Sequence, residues 1–178
     1  SNILTSVLFD NLSTGTMAHS YVTAFGSTIQ GELEAFKAYI QTHKNEPLIL
    51  LVDTYDTLKC GVKNAIRAYQ ECGIDNDYQY GFGIRLDSGD LAYLSKEAKK
   101  MFVEAGLDDV KICLSNGLKE QTIQSLKQQG AVIDSIGLGD NIVFPDNGRV
   151  GVVYKNVAVK HGEEFVSRIK VSNDMAKA

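Results

Sequence analysis

Five short stretches of this sequence gather side chains able to do chemistry. Gly15-Thr16 leads through Met17-Ala18 to His19-Ser20, and Asp53-Thr54-Tyr55-Asp56 follows an aliphatic run. Arg85-Leu86-Asp87-Ser88-Gly89-Asp90 comes next, then Ser115-Asn116-Gly117 and Gly137-Leu138-Gly139-Asp140. A neutral imidazole is a usable nucleophile and general base near pH 7. His43 and His161 lie in polar stretches, which leaves His19 as the histidine of interest. A lone histidine can also be structural. Asp53, Asp56, Asp87 and Asp90 can hold sugar hydroxyls or a magnesium–diphosphate complex, because magnesium takes one or two carboxylates plus phosphate oxygens and waters. Asp56 and Asp90 can equally do no more than cap the helices that follow. Arg85 offers a permanently charged fork to a carboxylate or phosphate, unless Asp87 ties it up in a structural ion pair.

Two stretches have phosphate-site character. Ser115-Asn116-Gly117 closes one apolar run and opens a helical one, so its backbone N–H groups can face an anion beside a positive helix end. The glycines of Gly137-Leu138-Gly139 allow a close approach to phosphate. Asn116 as a helix N-cap, and the glycines as ordinary turns, are the plainer alternatives.

The elements that must position these groups alternate. Apolar residues Leu33, Phe36 and Ile40, after Ile29, define one helix face, with Ser27 and Gln30 able to form a capping box. Leu48 to Val52 is a continuous apolar run, the habit of a strand buried on both faces of a parallel sheet. A helix carrying Leu58, Val62, Ile66 and Tyr69 then closes near Gly73. Strand 81–86 precedes a helix through Leu91, Leu94, Ala98 and Phe102 that stops at Gly106. Strand 110–114 precedes a helix through Leu118, Ile123 and Leu126 that stops at Gly130, and 132–138 is a further strand. Residues 12–17 read as a strand ahead of all these, after the tail of a helix holding Leu4, Val7 and Leu8. Strand–helix alternation with short connections implies right-handed crossovers and a parallel sheet. All the polar strand ends then fall on one face, where an α/β barrel builds its site.

The count falls short of a closed barrel. About five strands are visible, and an alternating sixth segment, 150–159, reads as a ribbon leaving the barrel. A closed eightfold barrel takes about 250 residues, against 178 here. The chain opens in mid-helix and stops soon after Asn173-Asp174. The expected fold is therefore the central, incomplete part of an irregular α/β barrel, with residues 1–178 a partial domain of a longer enzyme.

Composition narrows the partners. With 44% hydrophobic and 22% charged residues the chain is an ordinary globular sequence, which excludes a disordered tail. Eighteen basic against 22 acidic residues leave a net charge of −4, unsuited to non-specific nucleic-acid binding. No apolar run approaches the roughly 20 residues of a membrane span, and no signal-peptide pattern opens the chain. Cys60, Cys72 and Cys113 are odd in number and lack CxxC spacing, which argues against disulfides or a structural zinc and for the cytoplasm.

Several of these strings, in this order, resemble nicotinate phosphoribosyltransferase. They are Gly15-Thr16-Met17-Ala18-His19-Ser20, Val52-Asp53-Thr54-Tyr55-Asp56-Thr57, Ile84 to Leu91 and Ser115-Asn116. Gly137-Leu138-Gly139 and Gly151-Val152-Val153-Tyr154-Lys155 complete the order. The resemblance implies an irregular α/β barrel beside an N-terminal domain that is absent here, as is the C-terminal remainder, and a homodimer with shared sites. The reaction it implies joins nicotinate and phosphoribosyl diphosphate into nicotinate mononucleotide, coupled to ATP; the carboxylates themselves suggest Mg2+ near Asp87 and Asp90. By the same resemblance His19 is transiently phosphorylated, and Thr16 and Arg85 contact nicotinate. Asp53 and Asp87 line the ribose and diphosphate region. Ser115, Asn116, Gly117, Gly137, Gly139 and Asp140 surround the 5′-phosphate, although Asp140 stands where many members carry threonine. Nicotinamide phosphoribosyltransferase, which shares the Asp-Ser-Gly-Asp string, and a non-catalytic phosphate-binding fragment are the competing expectations.

Overall fold

A computed structural model of the chain describes residues 7–10, 16–139, 141 and 157–170. Four parallel strands, β1 (Leu48–Leu51), β2 (Phe82–Leu86), β3 (Lys111–Leu114) and β4 (Ser135–Ile136), lie side by side in chain order. Helices α1 (His19–Ala24) and α2 (Ile29–Thr42) precede β1, and α3 (Val62–Glu71), α4 (Leu91–Glu104) and α5 (Glu120–Gln128) connect the strands. This is the strand–helix alternation that the apolar spacing predicts.

The sheet is buried because its strands are aliphatic on successive positions. Leu48, Leu50, Leu51, Ile84, Leu86, Ile112 and Leu114 have no exposed surface, as expected for a parallel sheet covered on both faces. Tyr69 of α3 is fully buried among them, and its hydroxyl donates toward the carbonyls of Leu48 (3.1 Å) and Gly83 (2.6 Å). That contact staples α3 to the entering ends of β1 and β2. Asn64, also on α3, donates to the Ile29 carbonyl and to Glu32, tying α3 to the start of α2.

Helix ends follow the glycines. Gly73, at φ 71°, takes the left-handed conformation that side chains resist, and Ile74 N–H returns to the Tyr69 carbonyl. Leu107 to Phe102 and Ala131 to Leu126 repeat the closure after α4 and α5. A π-helical turn at Thr57–Gly61 leads into α3, with Gly61 N–H bonded to the Asp56 carbonyl. The turn brings Gly61 hard against the preceding strand end: a Cβ there would lie 1.8 Å from the Val52 carbonyl oxygen.

The structure departs from the sequence expectation in four places. The α2 cap is Thr28, whose hydroxyl accepts from Gly31 N–H, whereas Ser27 donates to the Ser167 carbonyl and Gln30 reaches Glu34. The fourth strand shrinks from 132–138 to two residues, and ahead of it Val132 N–H goes to the Ser95 hydroxyl rather than to the sheet. Of the strand expected at 12–17, residues 12–15 lie outside the described residues and 16–18 have no regular structure. Within the ribbon expected at 150–159, residues 150–156 lie outside the described residues. Ala158–His161 forms β5 and pairs antiparallel with β6 (Glu164–Ser167) in a separate hairpin. Among the described residues the parallel sheet has four strands and no closed barrel is seen. No helix among them is long and apolar enough to cross a membrane.

Candidate active site

The register of the sheet sets the site. Val52 N–H bonds the Arg85 carbonyl and Ser115 N–H bonds the Leu86 carbonyl, carrying the ladder past the strand ends. Asp53, Asp87 and Ser115 therefore leave three neighbouring strands side by side. Asp53 has no exposed side-chain surface. Its Oδ2 accepts from the Asp87 backbone N–H at 3.1 Å and from the Ser88 hydroxyl. Asp87 Oδ1 accepts from the Ser115 hydroxyl at 2.6 Å.

His19 opens α1 above these carboxylates. Its Nδ1 lies 3.1 Å from the hydroxyl of buried Thr54. Its Nε2 lies 3.6 Å from Asp53 Oδ1 and 3.9 Å from Asp87 Oδ2. Lys170, which the sequence reading did not single out, brings Nζ to 2.9 Å from His19 Nε2 and 3.7 Å from Asp53 Oδ2. No spacing rule links residues 151 positions apart, so only the fold reveals this lysine. Thr54 and Ser88 stood inside the quoted strings without an assigned role.

Beside this cluster Arg85, two residues before Asp87 on β2, reaches across to the irregular 16–18 segment. It donates from Nη1 to the Thr16 hydroxyl (2.9 Å) and from Nη2 to the Met17 carbonyl (3.1 Å). Met17 itself is buried, and its sulfur accepts from Leu51 N–H on the outer edge of β1. Arg85 Nε is buried and has no hydrogen-bond partner among the described residues.

The two phosphate-type loops also meet. Asn116 (φ 105°) and Gly117 (φ 56°) are successive left-handed residues, and α5 starts only at Glu120, so Asn116 is not its N-cap. Gly137 N–H donates to the Leu114 carbonyl, and a Cβ there would come within 3.1 Å of Ser115 Cβ. Asn141 donates to the Gly117 and Leu118 carbonyls, joining the second loop to the first. Gly139 has nothing within 4 Å of its Cβ position, and Asp140 lies outside the described residues. Asp56 and Asp90 cap the helical segments behind them, accepting from Lys59 and Tyr93 N–H.

Glu32 lies behind the cluster with no exposed surface and one carboxylate oxygen unpartnered among the described residues. Burial pushes its pKa up to about 7, opposed by the Asn64 hydrogen bond and reinforced by the charge of Asp53.

No protein-family model matches the chain. A nicotinate phosphoribosyltransferase of Bacillus subtilis is 45% identical over 178 residues, covering 99% of this chain. The chain is homologous to a part of the nicotinate phosphoribosyltransferases. It spans only 34% of the Bacillus subtilis relative's length. The solved human nicotinic acid phosphoribosyltransferase matches with a TM-score of 0.64 and 26% identity, over 77% of this chain and 37% of that one. The Porphyromonas gingivalis nicotinate phosphoribosyltransferase matches with a TM-score of 0.78 over 99% of this chain and 46% of its own. At 20% identity that match is a likeness of fold.

The donor set can be tested against the magnesium that phosphoribosyltransferase chemistry implies. His19, Asp53 and Asp87 offer ligand atoms within 4.8 Å of one another, and buried Asp53 Oδ1 has no hydrogen-bond partner among the described residues. Two carboxylates suit a magnesium ion that arrives with phosphate oxygens and water. The imidazole is the less suitable donor for so hard an ion. Asp90, spent on its helix cap, is not among the three.

Proposed function

We propose that this chain carries part of the active site of an ATP-coupled nicotinate phosphoribosyltransferase, which transfers the phosphoribosyl group of phosphoribosyl diphosphate to nicotinate in NAD salvage. The observation that carries the reading is the continuous network His19–Thr54, His19–Asp53–Asp87–Ser115, built on three adjacent strand ends. Substrate-bearing loops at the carboxyl ends of parallel strands are the general habit of α/β enzymes. The parallel sheet is taken as part of an irregular α/β-barrel domain in a longer, homodimeric, cytoplasmic enzyme. The 178 residues alone are then a poor catalyst.

The chemistry follows from the groups present. Phosphoribosyl transfer builds positive charge on the anomeric carbon as diphosphate departs, and Asp53 and Asp87 put negative charge where that cation develops. Magnesium held by Asp53 and Asp87 would supply charge neutralisation to the diphosphate. The pyridine nitrogen of nicotinate is already a nucleophile, so the protein's task is to orient it. Arg85, fixed beside the strand ends by its hydrogen bonds to Thr16 and Met17, carries the permanent positive charge suited to the nicotinate carboxylate. Ser115, Asn116, Gly117, Gly137, Gly139 and Asn141 form the loop pair for the 5′-phosphate, with Asp140 following Gly139 in sequence. His19 takes the terminal phosphoryl group of ATP as ADP leaves, the charge gained changes how the neighbouring carboxylates receive substrate, and water then removes the phosphoryl group as phosphate.

The test uses the full-length protein containing this chain. Labelled ATP is expected to leave an acid-labile, alkali-stable phosphoryl group that His19→Ala lacks, and nicotinate to be turned over in preference to nicotinamide. Label retained in His19→Ala removes His19 from the role, and turnover of nicotinamide in place of nicotinate overturns the substrate assignment.

A further inference from the structure

We propose that Lys170 is a positioning residue for His19: its ammonium, lodged between His19 Nε2 and Asp53 Oδ2, holds the imidazole as the Nδ1–H tautomer with the Nε2 lone pair turned toward the carboxylates. The inference deepens the reading of His19 as a phosphoryl acceptor and rests on it for its consequence.

The argument is one of donors and acceptors. A lysine ammonium has three donors and no acceptor. At 2.9 Å from Nε2 it must donate, so Nε2 carries the lone pair. A neutral imidazole then keeps its proton on Nδ1, 3.1 Å from the Thr54 hydroxyl, which accepts it. Without the lysine the pattern would invert. Nε2 faces Asp53 Oδ1 at 3.6 Å and Asp87 Oδ2 at 3.9 Å, and ionised carboxylates only accept. An Nε2–H tautomer would serve both of them, leaving the lone pair on Nδ1 against Thr54.

The lysine is built into place. Its side chain is 9% exposed, and Asp53 Oδ2 at 3.7 Å supplies the opposite charge that a buried ammonium requires. The segment that delivers it is anchored twice. Ser27 donates to the Ser167 carbonyl at 3.1 Å, and Arg168 N–H bonds the Val157 carbonyl at 2.9 Å. A cation beside the lone pair can move onto an arriving phosphate oxygen without leaving Asp53 unbalanced.

The experiment is long-range 1H–15N correlation spectroscopy on protein labelled with 15N-histidine, with the His19 signals assigned by their loss in His19→Gln. The expected wild-type pattern is a protonated Nδ1 and an unprotonated Nε2. Lys170→Met should invert it, and Lys170→Arg, another pure donor, should restore it. His43 and His161 signals serve as the check on folding. A wild-type Nε2–H pattern, or a Lys170→Met pattern identical to wild type, overturns the proposal, and the wild-type measurement needs no variant to fold. A second arm follows phosphoryl transfer from labelled ATP in the full-length protein. Lys170→Met should slow it at least about tenfold, the effect of one well-placed hydrogen bond to a charged group, with Lys170→Arg partly rescuing. Unaltered labelling in Lys170→Met overturns the positioning role. No label in wild type overturns the phosphoryl-acceptor reading and leaves the tautomer result to stand by itself.

Discussion

Asp53 fixes Asp87 by its backbone while facing His19 with its other oxygen: Oδ2 accepts Asp87 N–H at 3.1 Å, and Oδ1 lies 3.6 Å from the imidazole. The strut and the charge are separable. Asp53→Ala strands the Asp87 N–H and the Ser88 hydroxyl without their acceptor and should cost about 1–3 kcal/mol. Asp53→Asn, whose amide oxygen still accepts, should cost clearly less. Urea midpoints with unchanged slopes measure both, and equal losses would show that the negative charge is what matters.

Glu32 gives stability a pH dependence of definite sign. Its pKa rises from 4.5 to about 7 on folding. Below pH 4.5 both states are protonated and its contribution is fully present. Between pH 4.5 and 7 the unfolded chain releases a proton that the folded chain keeps, so stability falls as pH rises and levels above about 7. A shift of this size corresponds to about 3 kcal/mol. Glu32→Gln should abolish that part of the slope and be the more stable protein at pH 8. Chemical denaturation across the pH range would read it directly.

Glycines divide into two kinds of intolerance. A Cβ at Gly83 would meet the Lys111 carbonyl oxygen at 2.3 Å and one at Gly61 the Val52 carbonyl oxygen at 1.8 Å, both rigid backbone. Gly61→Ala and Gly83→Ala should each cost about 3 kcal/mol, the upper part of the overpacking range. Gly73→Ala meets no atom within 4 Å and suffers only the left-handed backbone, about 1–2 kcal/mol. Thermal melts should leave Gly73→Ala the most stable of the three variants.

Arg85→Gln, in the full-length protein, should raise the KM for nicotinate about 10- to 150-fold, the loss of a charge-assisted pair at 1.5–3 kcal/mol. The KM for phosphoribosyl diphosphate should move far less. Arg85→Lys should recover part of the loss, since an ammonium lacks the planar fork. A larger effect on the diphosphate substrate would make Arg85 a phosphate clamp instead.

The strands and helices were legible wherever burial decides the pattern: Leu48 to Leu51 and the periodic faces of α2, α3 and α4 read directly from aliphatic spacing. Legibility failed where a side chain intercepts the backbone. Ser95 takes the N–H of Val132, and Thr28 takes the cap expected of Ser27. In the site, His19, Asp53 and Asp87 were visible as polar residues at the ends of expected strands, with Arg85 two residues ahead of Asp87. Lys170 was invisible, since it sits in a charged, unremarkable stretch and acquires meaning only by proximity.

The staple of Tyr69 lies at one end of the sheet and the acidic cluster at the other. Five residues of chain, from Leu48 to Asp53, separate them along β1, about 16 Å at 3.3 Å per residue. Changes farther apart than about 10 Å usually add without coupling. The molecule thus keeps its structural reserve away from its chemistry. Loops at the reactive end can be exchanged for others of different specificity with their folding costs simply summed, and a stabilising change near Tyr69 can compensate a costly one near Asp87. Such a layout leaves selection free to explore new ligands without first rebuilding the scaffold.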